Sequence, residues 1–163
     1  MHVSQICTRS LVTCTRETPA AELARKMRDQ HVADVLVIEN RDGRLTPVGL
    51  VTDRDLVVQV LARDKDPNQI CAADLMCAEL ETVIDSELVY DAIWHMRKRQ
   101  IIRLPVVDAH GALVGMLTAD DVAEFLASEL TEVARLRKRN PALQSAPSAS
   151  SASSAPSGYP ARR

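Results

Sequence analysis

The chain has 163 residues and a formal net charge of -2, with 46% apolar and only 2% aromatic residues. That length suits one compact domain or two small repeats sharing a core, and the composition demands a core of Leu, Val, Ala, Ile and Met. Residues 140–163 carry only Arg162 and Arg163, which leaves 18 basic against 22 acidic residues before them, near -4, and argues against a nucleic-acid surface.

The one dense basic run, Arg135, Arg137, Lys138 and Arg139, reads as cations closing a helix, where the helix dipole favours them. Cys7, Cys14, Cys71 and Cys77 lack Cys-x-x-Cys spacing and have no histidine at ligand intervals, so no metal is expected. Cys14 and Cys77 read as small buried fillers. The N-terminus does not resemble a signal peptide and no run of about eighteen apolar residues could span a bilayer, so a cytoplasmic protein without a membrane partner is expected.

In chain order, Thr18-Pro19 marks a helix start with Pro at the first helical position, followed by Ala20, Leu23, Ala24 and Met27 at i, i+3, i+4 and i+7. A buried strand, Val35 to Ile38, runs into a turn ending in Gly43, and a second strand, Val48 to Thr52, leads into a helix at Asp53. Residues 64–68 form a turn-rich linker. Asp85-Ser86 then stand as candidate caps for a helix carrying Val89, Ala92, Ile93 and Met96 on one side.

Leu104 to Val107 and Leu113 to Thr118 are the next strands, Pro105 suggesting an edge or a strand start. The last helix opens at Ala119 with Val122, Leu126, Leu130, Val133 and Leu136 along one side, a stripe suited to covering the other repeat. The Ser/Ala/Pro composition of 140–163 predicts a disordered tail.

Laid against itself at a shift of 69, the chain matches Ile6 to Leu75, Leu11 to Leu80, Thr13 to Thr82, Met27 to Met96 and Arg28 to Arg97. The shift falls to 68 at Gly43 and Gly111, then to 66 at Gly49 and Gly115. Two βαββα repeats follow, over 3–66 and 70–138, and the fold class is α/β in the mixed, α+β sense.

The strand-to-helix turn occurs twice as Gly-x-x-Thr-x-x-Asp: Gly49, Thr52 and Asp55, then Gly115, Thr118 and Asp121. Glycine lets a ligand approach the backbone, a threonine beside free helix N–H groups can hold a phosphate, and a carboxylate one turn later can accept both hydroxyls of a ribose. The same Thr-x-x-Asp is also an N-terminal cap worth about 1 kcal/mol without any ligand, and the two roles can coexist.

Paired βαββα repeats containing Gly49-Leu50-Val51-Thr52-Asp53-Arg54-Asp55-Leu56, with Ala73-Asp74-Leu75-Met76 opening the second copy, resemble the cystathionine-β-synthase (CBS) domain family over residues 3 to about 138. The resemblance implies a pseudo-twofold pair with two clefts for an adenine nucleotide, AMP foremost, or ATP, ADP, NAD or S-adenosylmethionine. It implies Thr52, Arg54 and Asp55 for one cleft and Thr118 and Asp121 for the other. Thr13-Cys14 and Thr82-Val83 would lie beside the adenine, and Arg103-Leu104-Pro105 and Asp34-Val35 would enter at the strand starts.

Arg103 matches a phosphate-contacting position of the family, and Asp34 stands at its place in the first repeat. Arg103 is therefore expected with Asp55, and Asp34 with Thr118 and Asp121, making the Asp55 cleft the stronger site for a phosphorylated nucleotide and the Asp121 cleft weak, empty or nucleoside-preferring. A surface salt bridge is the plain alternative for Arg103. Trp94 is either exposed or a subunit contact. The resulting expectation is a non-enzymatic regulatory module that signals through an effector protein or its own homodimer; a structural or redox-linked adaptor is the alternative.

Overall fold

The computed structural model describes residues 1–139, and the tail expected over 140–163 lies outside the described residues. One compact unit, 1–127, holds both repeats; the second begins at Ser128, and its described part continues the last helix. No helix among the described residues is long and apolar enough to cross a membrane.

The first repeat comprises β1 (Thr13–Cys14), α1 (Ala20–Gln30), β2 (Asp34–Arg41), β3 (Arg44–Thr52) and a short helix α2 (Asp53–Asp55), which continues as a π turn (Leu56–Val60) and a 3-10 turn (Leu61–Arg63). After a four-residue helix α3 (Ala72–Leu75), the second repeat comprises β4 (Val83–Ile84), α4 (Val89–Arg99), β5 (Arg103–Val107), β6 (Leu113–Thr118) and α5 (Ala119–Arg139). Each repeat makes a three-stranded sheet, β1-β2-β3 and β4-β5-β6, whose first pair is parallel and second antiparallel.

Local chemistry accounts for most boundaries and for several departures from expectation. Pro19 is the N-cap of α1 and not its first helical residue: its extended backbone, φ -63 and ψ 148, turns its carbonyl to accept from the N–H groups of Glu22 and Leu23. The N-cap of α4 is Leu88, so Asp85 and Ser86 lie in the preceding turn, where their carbonyls accept from Ser4 and His2. β2 and β3 outrun their apolar stretches because their polar outer halves, Glu39 to Arg41 and Arg44 to Thr46, pair through the backbone. Asp42 (φ 53) and Gly43 (φ 82) close that arm, both central residues having the positive φ of a two-residue type I′ hairpin.

The cores reveal an exchange of leading segments. Leu23, Val35, Val37, Val51 and Cys14 form the first core, completed by Ala72 and Leu75 from the start of the second repeat. Val83, Ala92, Leu104, Val106 and Leu117 form the second, completed by Val3 from the chain's own start, with Ile6 and Cys7 packed against it. Backbone bridges repeat the exchange: Thr8 pairs with Met116 and Cys77 with Leu50, positions related by the sequence shifts. Two sheets closed by each other's leading segments form a pseudo-twofold pair. Burying each of the fully enclosed Leu23, Leu36, Leu104 and Leu117 contributes about 1.5–3 kcal/mol to holding it together.

Along α5, Val122 is buried, while Leu130, Val133 and Leu136 are exposed, unlike the covered stripe expected of them. Cys14 is buried but Cys77 is exposed, so the filler role fits only the former. Burial raises the Cys14 thiol pKa to about 11. Trp94 is 54% exposed, with the Lys98 ammonium 4.6 Å from its ring centroid.

Candidate ligand cleft between the repeats

Each strand-to-helix turn closes as a reciprocal cap. In the second repeat the Thr118 backbone N–H donates to Asp121 Oδ2 at 2.8 Å, the Thr118 hydroxyl donates to the same oxygen at 2.7 Å, and the Asp121 N–H donates to Thr118 Oγ1 at 3.1 Å. The first repeat repeats this at Thr52 and Asp55, with 2.8, 2.6 and 3.2 Å. Both threonines and both carboxylates thus satisfy helix ends that would otherwise lack partners.

The second oxygen of each carboxylate separates the turns. Asp55 Oδ1 accepts from Gln59 Nε2 at 3.2 Å, and the same amide reaches the Leu75 carbonyl at 3.4 Å. Among the described residues, Asp121 Oδ1 meets only the Thr8 hydroxyl, at a long 3.5 Å. At the shift of 66 the position of Gln59 is Phe125, which has no group to donate.

Asp121 lines a cavity of about 300 Å³ between the repeats, at the small end of the range for small-molecule sites. The second repeat supplies Arg103, Met116, Thr118 and Asp121; the first supplies Ser10, Leu11 and Val12 ahead of β1, His31 at the end of α1, and Asp34 and Leu36 on β2. Backbone register builds the polar end: Arg103 opens β5 directly opposite Thr118 at the end of β6.

Arg103 and Asp34, equivalent at the shift of 69, meet across the junction with Nε 2.6 Å from Oδ2. This corrects the sequence argument, which put the two groups in opposite clefts: both line the cavity of Thr118 and Asp121. The reason is the pseudo-twofold packing, which brings equivalent strand starts against each other. Burial raises the Asp34 carboxyl pKa, the Arg103 charge opposing that shift and Asp53 adding to it.

Other expected site residues fall into three groups. Val35, Leu104, Pro105 and Val83 are fully enclosed core, so their side chains serve packing. Thr13 and Cys14 form β1, and the lining of the cavity stops one residue short of them at Val12; Thr82 immediately precedes β4. Arg54 is exposed, its N–H donating to Asp53 Oδ1 at 2.7 Å.

The glycines admit the chain itself where a ligand was expected. A Cβ at Gly115 would stand 2.7 Å from the Thr8 carbonyl oxygen, and one at Gly49 would stand 2.4 Å from Met76 Sδ. Thr8, Ser10, His31 and Met116 were not anticipated in the site. The repeat alignment could have flagged Thr8 as the equivalent of Cys77, but only the exchange of leading segments carries it to the opposite repeat. His31 adopts a left-handed conformation, φ 54, at the end of α1, as Gln100 does, φ 56, after α4. Among the described residues no group of three His, Cys, Asp or Glu is arranged to hold a metal ion.

Comparison with known proteins agrees with this architecture. An uncharacterized protein of Methanopyrus kandleri is 33% identical over 122 residues, 75% of this chain, and the match spans 61% of that protein. A CBS domain protein of Pyrobaculum aerophilum, whose structure was solved in complex with AMP, is 25% identical with a TM-score of 0.65, over 74% of this chain and 89% of that one. The CBS domain pair of protein MJ0100, solved with 5-methylthioadenosine and S-adenosyl-L-methionine, shares the fold at a TM-score of 0.66 and 22% identity, over 79% of this chain and 98% of that one. The CBS domain family matches twice, over residues 3–62 and 72–128, in register with the two repeats, and the chain belongs to that family.

Proposed function

We propose that this CBS pair is a regulatory module that binds an adenosine-containing ligand in the cavity of Thr118 and Asp121 and passes the change to a partner protein. One observation carries the choice of site: Asp121 closes its cap through Oδ2, has only a long 3.5 Å contact from the Thr8 hydroxyl at Oδ1 among the described residues, and lines a cavity of about 300 Å³ between the repeats. A carboxylate in that position can accept the two hydroxyls of a ribose, while Leu11, Val12, Leu36 and Met116 offer apolar surface to a base.

The complex of the Pyrobaculum relative with AMP supports the adenosyl class. Because both repeats line the cavity, a ligand there has differential contacts with any two arrangements of the repeats, which is what a population shift requires. The reading assigns no catalytic residue. A homodimer and an effector protein are its proposed partners, the exposed Trp94 and Tyr90 of α4 being suited to a subunit contact.

Thermal unfolding with and without adenosine, AMP, ADP, ATP, NAD and S-adenosylmethionine tests this. A saturable rise in Tm, lost in Asp121→Ala, is expected, because a ligand that binds only the folded state stabilises it. A second reading, a structural adaptor whose Thr-x-x-Asp sets only cap helices, is favoured by the complete reciprocal caps at both turns. No Tm shift with any of these compounds would select it.

A further inference from the structure

The cavity of Thr118 and Asp121 contains one fixed cation, and a carboxylate of the same chain already holds it. Arg103 Nε lies 2.6 Å from Asp34 Oδ2, and the pair is largely shielded, with side-chain exposures of 31% and 18%. Charge-assisted contacts of this length are strong, and removing one partner of a shielded pair leaves the other charge poorly solvated. The other ionisable side chains lining the cavity are Asp121 and His31. Two carboxylates, Asp34 and Asp121, thus share the cavity with one guanidinium.

We propose that Asp34 is a specificity-determining residue: it occupies Arg103 in place of a ligand phosphate, so the cavity prefers a nucleoside or a cationic adenosyl compound to a nucleotide. The inference rests on the cavity being the adenosyl site. An arriving phosphate gains the guanidinium only by displacing Asp34, and the displaced carboxylate then stands beside both the phosphate and Asp121. A ligand without a phosphate leaves the pair intact and meets Asp121, Thr118 and the apolar lining unhindered. The pair also ties the two strand starts, β2 and β5, across the repeat junction, so a phosphate that opened it would release a contact between the repeats.

The test measures binding of adenosine and of AMP by calorimetry to the wild type, Asp34→Asn, Arg103→Gln and the double variant. Wild type is expected to bind adenosine at least as tightly as AMP. In Asp34→Asn, AMP should bind about tenfold or more tightly while adenosine changes less than about twofold, and the gain should vanish in the double variant. Arg103→Gln alone should weaken AMP binding relative to adenosine, because it leaves the Asp34 carboxylate unpaired beside the phosphate.

An unchanged or weakened AMP affinity in Asp34→Asn, or an equal gain for adenosine, would overturn the role of Asp34 while leaving the adenosyl site standing. Wild type binding AMP tenfold more tightly than adenosine would do the same without requiring any variant to fold. Failure of both compounds to bind wild type and Asp34→Asn alike would overturn the site itself.

Discussion

The two halves of this molecule carry the same turn, Gly-x-x-Thr-x-x-Asp, and close it with the same three hydrogen bonds, yet the surroundings of the two carboxylates differ. In the first, Gln59 sits one turn beyond Asp55 and engages its second oxygen, and the helix there passes through a π turn over Leu56–Val60. In the second, Phe125 holds that place, α5 is a regular helix from its start, and Asp121, whose Oδ1 has a long contact from the Thr8 hydroxyl, lines the cavity. A repeated motif therefore need not mean a repeated environment. On the proposed function, the residue one turn on decides whether the carboxylate is engaged inside the protein or left for a ligand.

The largest expected difference between the halves is at their first strands, where Cys14 stands in the place of Val83. The folded-state thiol pKa of Cys14 is raised from 9.0 to about 11, so the folded state binds more protons than the unfolded one between those values. Its stabilising contribution is complete below about pH 9 and falls by up to about 3 kcal/mol as pH rises through 11. Denaturant unfolding of wild type and Cys14→Val from pH 8 to 11.5 should show that slope only in the wild type. Parallel curves would mean that the thiol is not held back by its burial.

Next in size, Asp121→Ala should weaken adenosyl binding about ten- to a hundredfold, the loss of a hydrogen bond to a charged group worth about 1.5–3 kcal/mol. Asp55→Ala should change binding much less, reversing the order expected from sequence. Calorimetric titration of both variants checks this, and equal losses would abolish the distinction between the turns.

The glycines compare the two crossing segments. Gly115→Ala pushes its Cβ against the Thr8 backbone and should cost about 1–3 kcal/mol in urea unfolding. Gly49→Ala meets first the sulfur of Met76, a flexible side chain that can swing aside, and should cost less. A larger loss at Gly49 would show that the segment at Met76 is the less yielding. The smallest effect concerns Gln59→Ala, which releases Asp55 Oδ1 from a bond worth about 1 kcal/mol. It should raise adenosyl affinity at the first turn about fivefold, read as a rise in calorimetric stoichiometry. An unchanged stoichiometry would mean that more than Gln59 closes that turn.

The elements and the repeat were legible because their signals are local. Helical spacing at Ala20, Leu23 and Met27, the strand runs at Val35 and Leu104, and the Thr-x-x-Asp caps depend on neighbours within a turn or a strand. The same locality made the turns visible as paired candidates without revealing which could receive a ligand. The cap and the ribose contact call for the same residues, and the effect of Gln59 depends on where a helix deviates from regular geometry.

By itself the sequence determined two βαββα repeats, an aliphatic core and two Thr/Asp turns, since each follows from short-range pattern and composition. Tertiary structure alone decided that Thr8 crosses to the second sheet, that the glycines admit the crossing segments, and that Arg103 meets Asp34 in the cavity of Asp121. These are consequences of how two sheets close against each other. Residues tens of positions apart become neighbours there through shape and burial, which no spacing along the chain encodes.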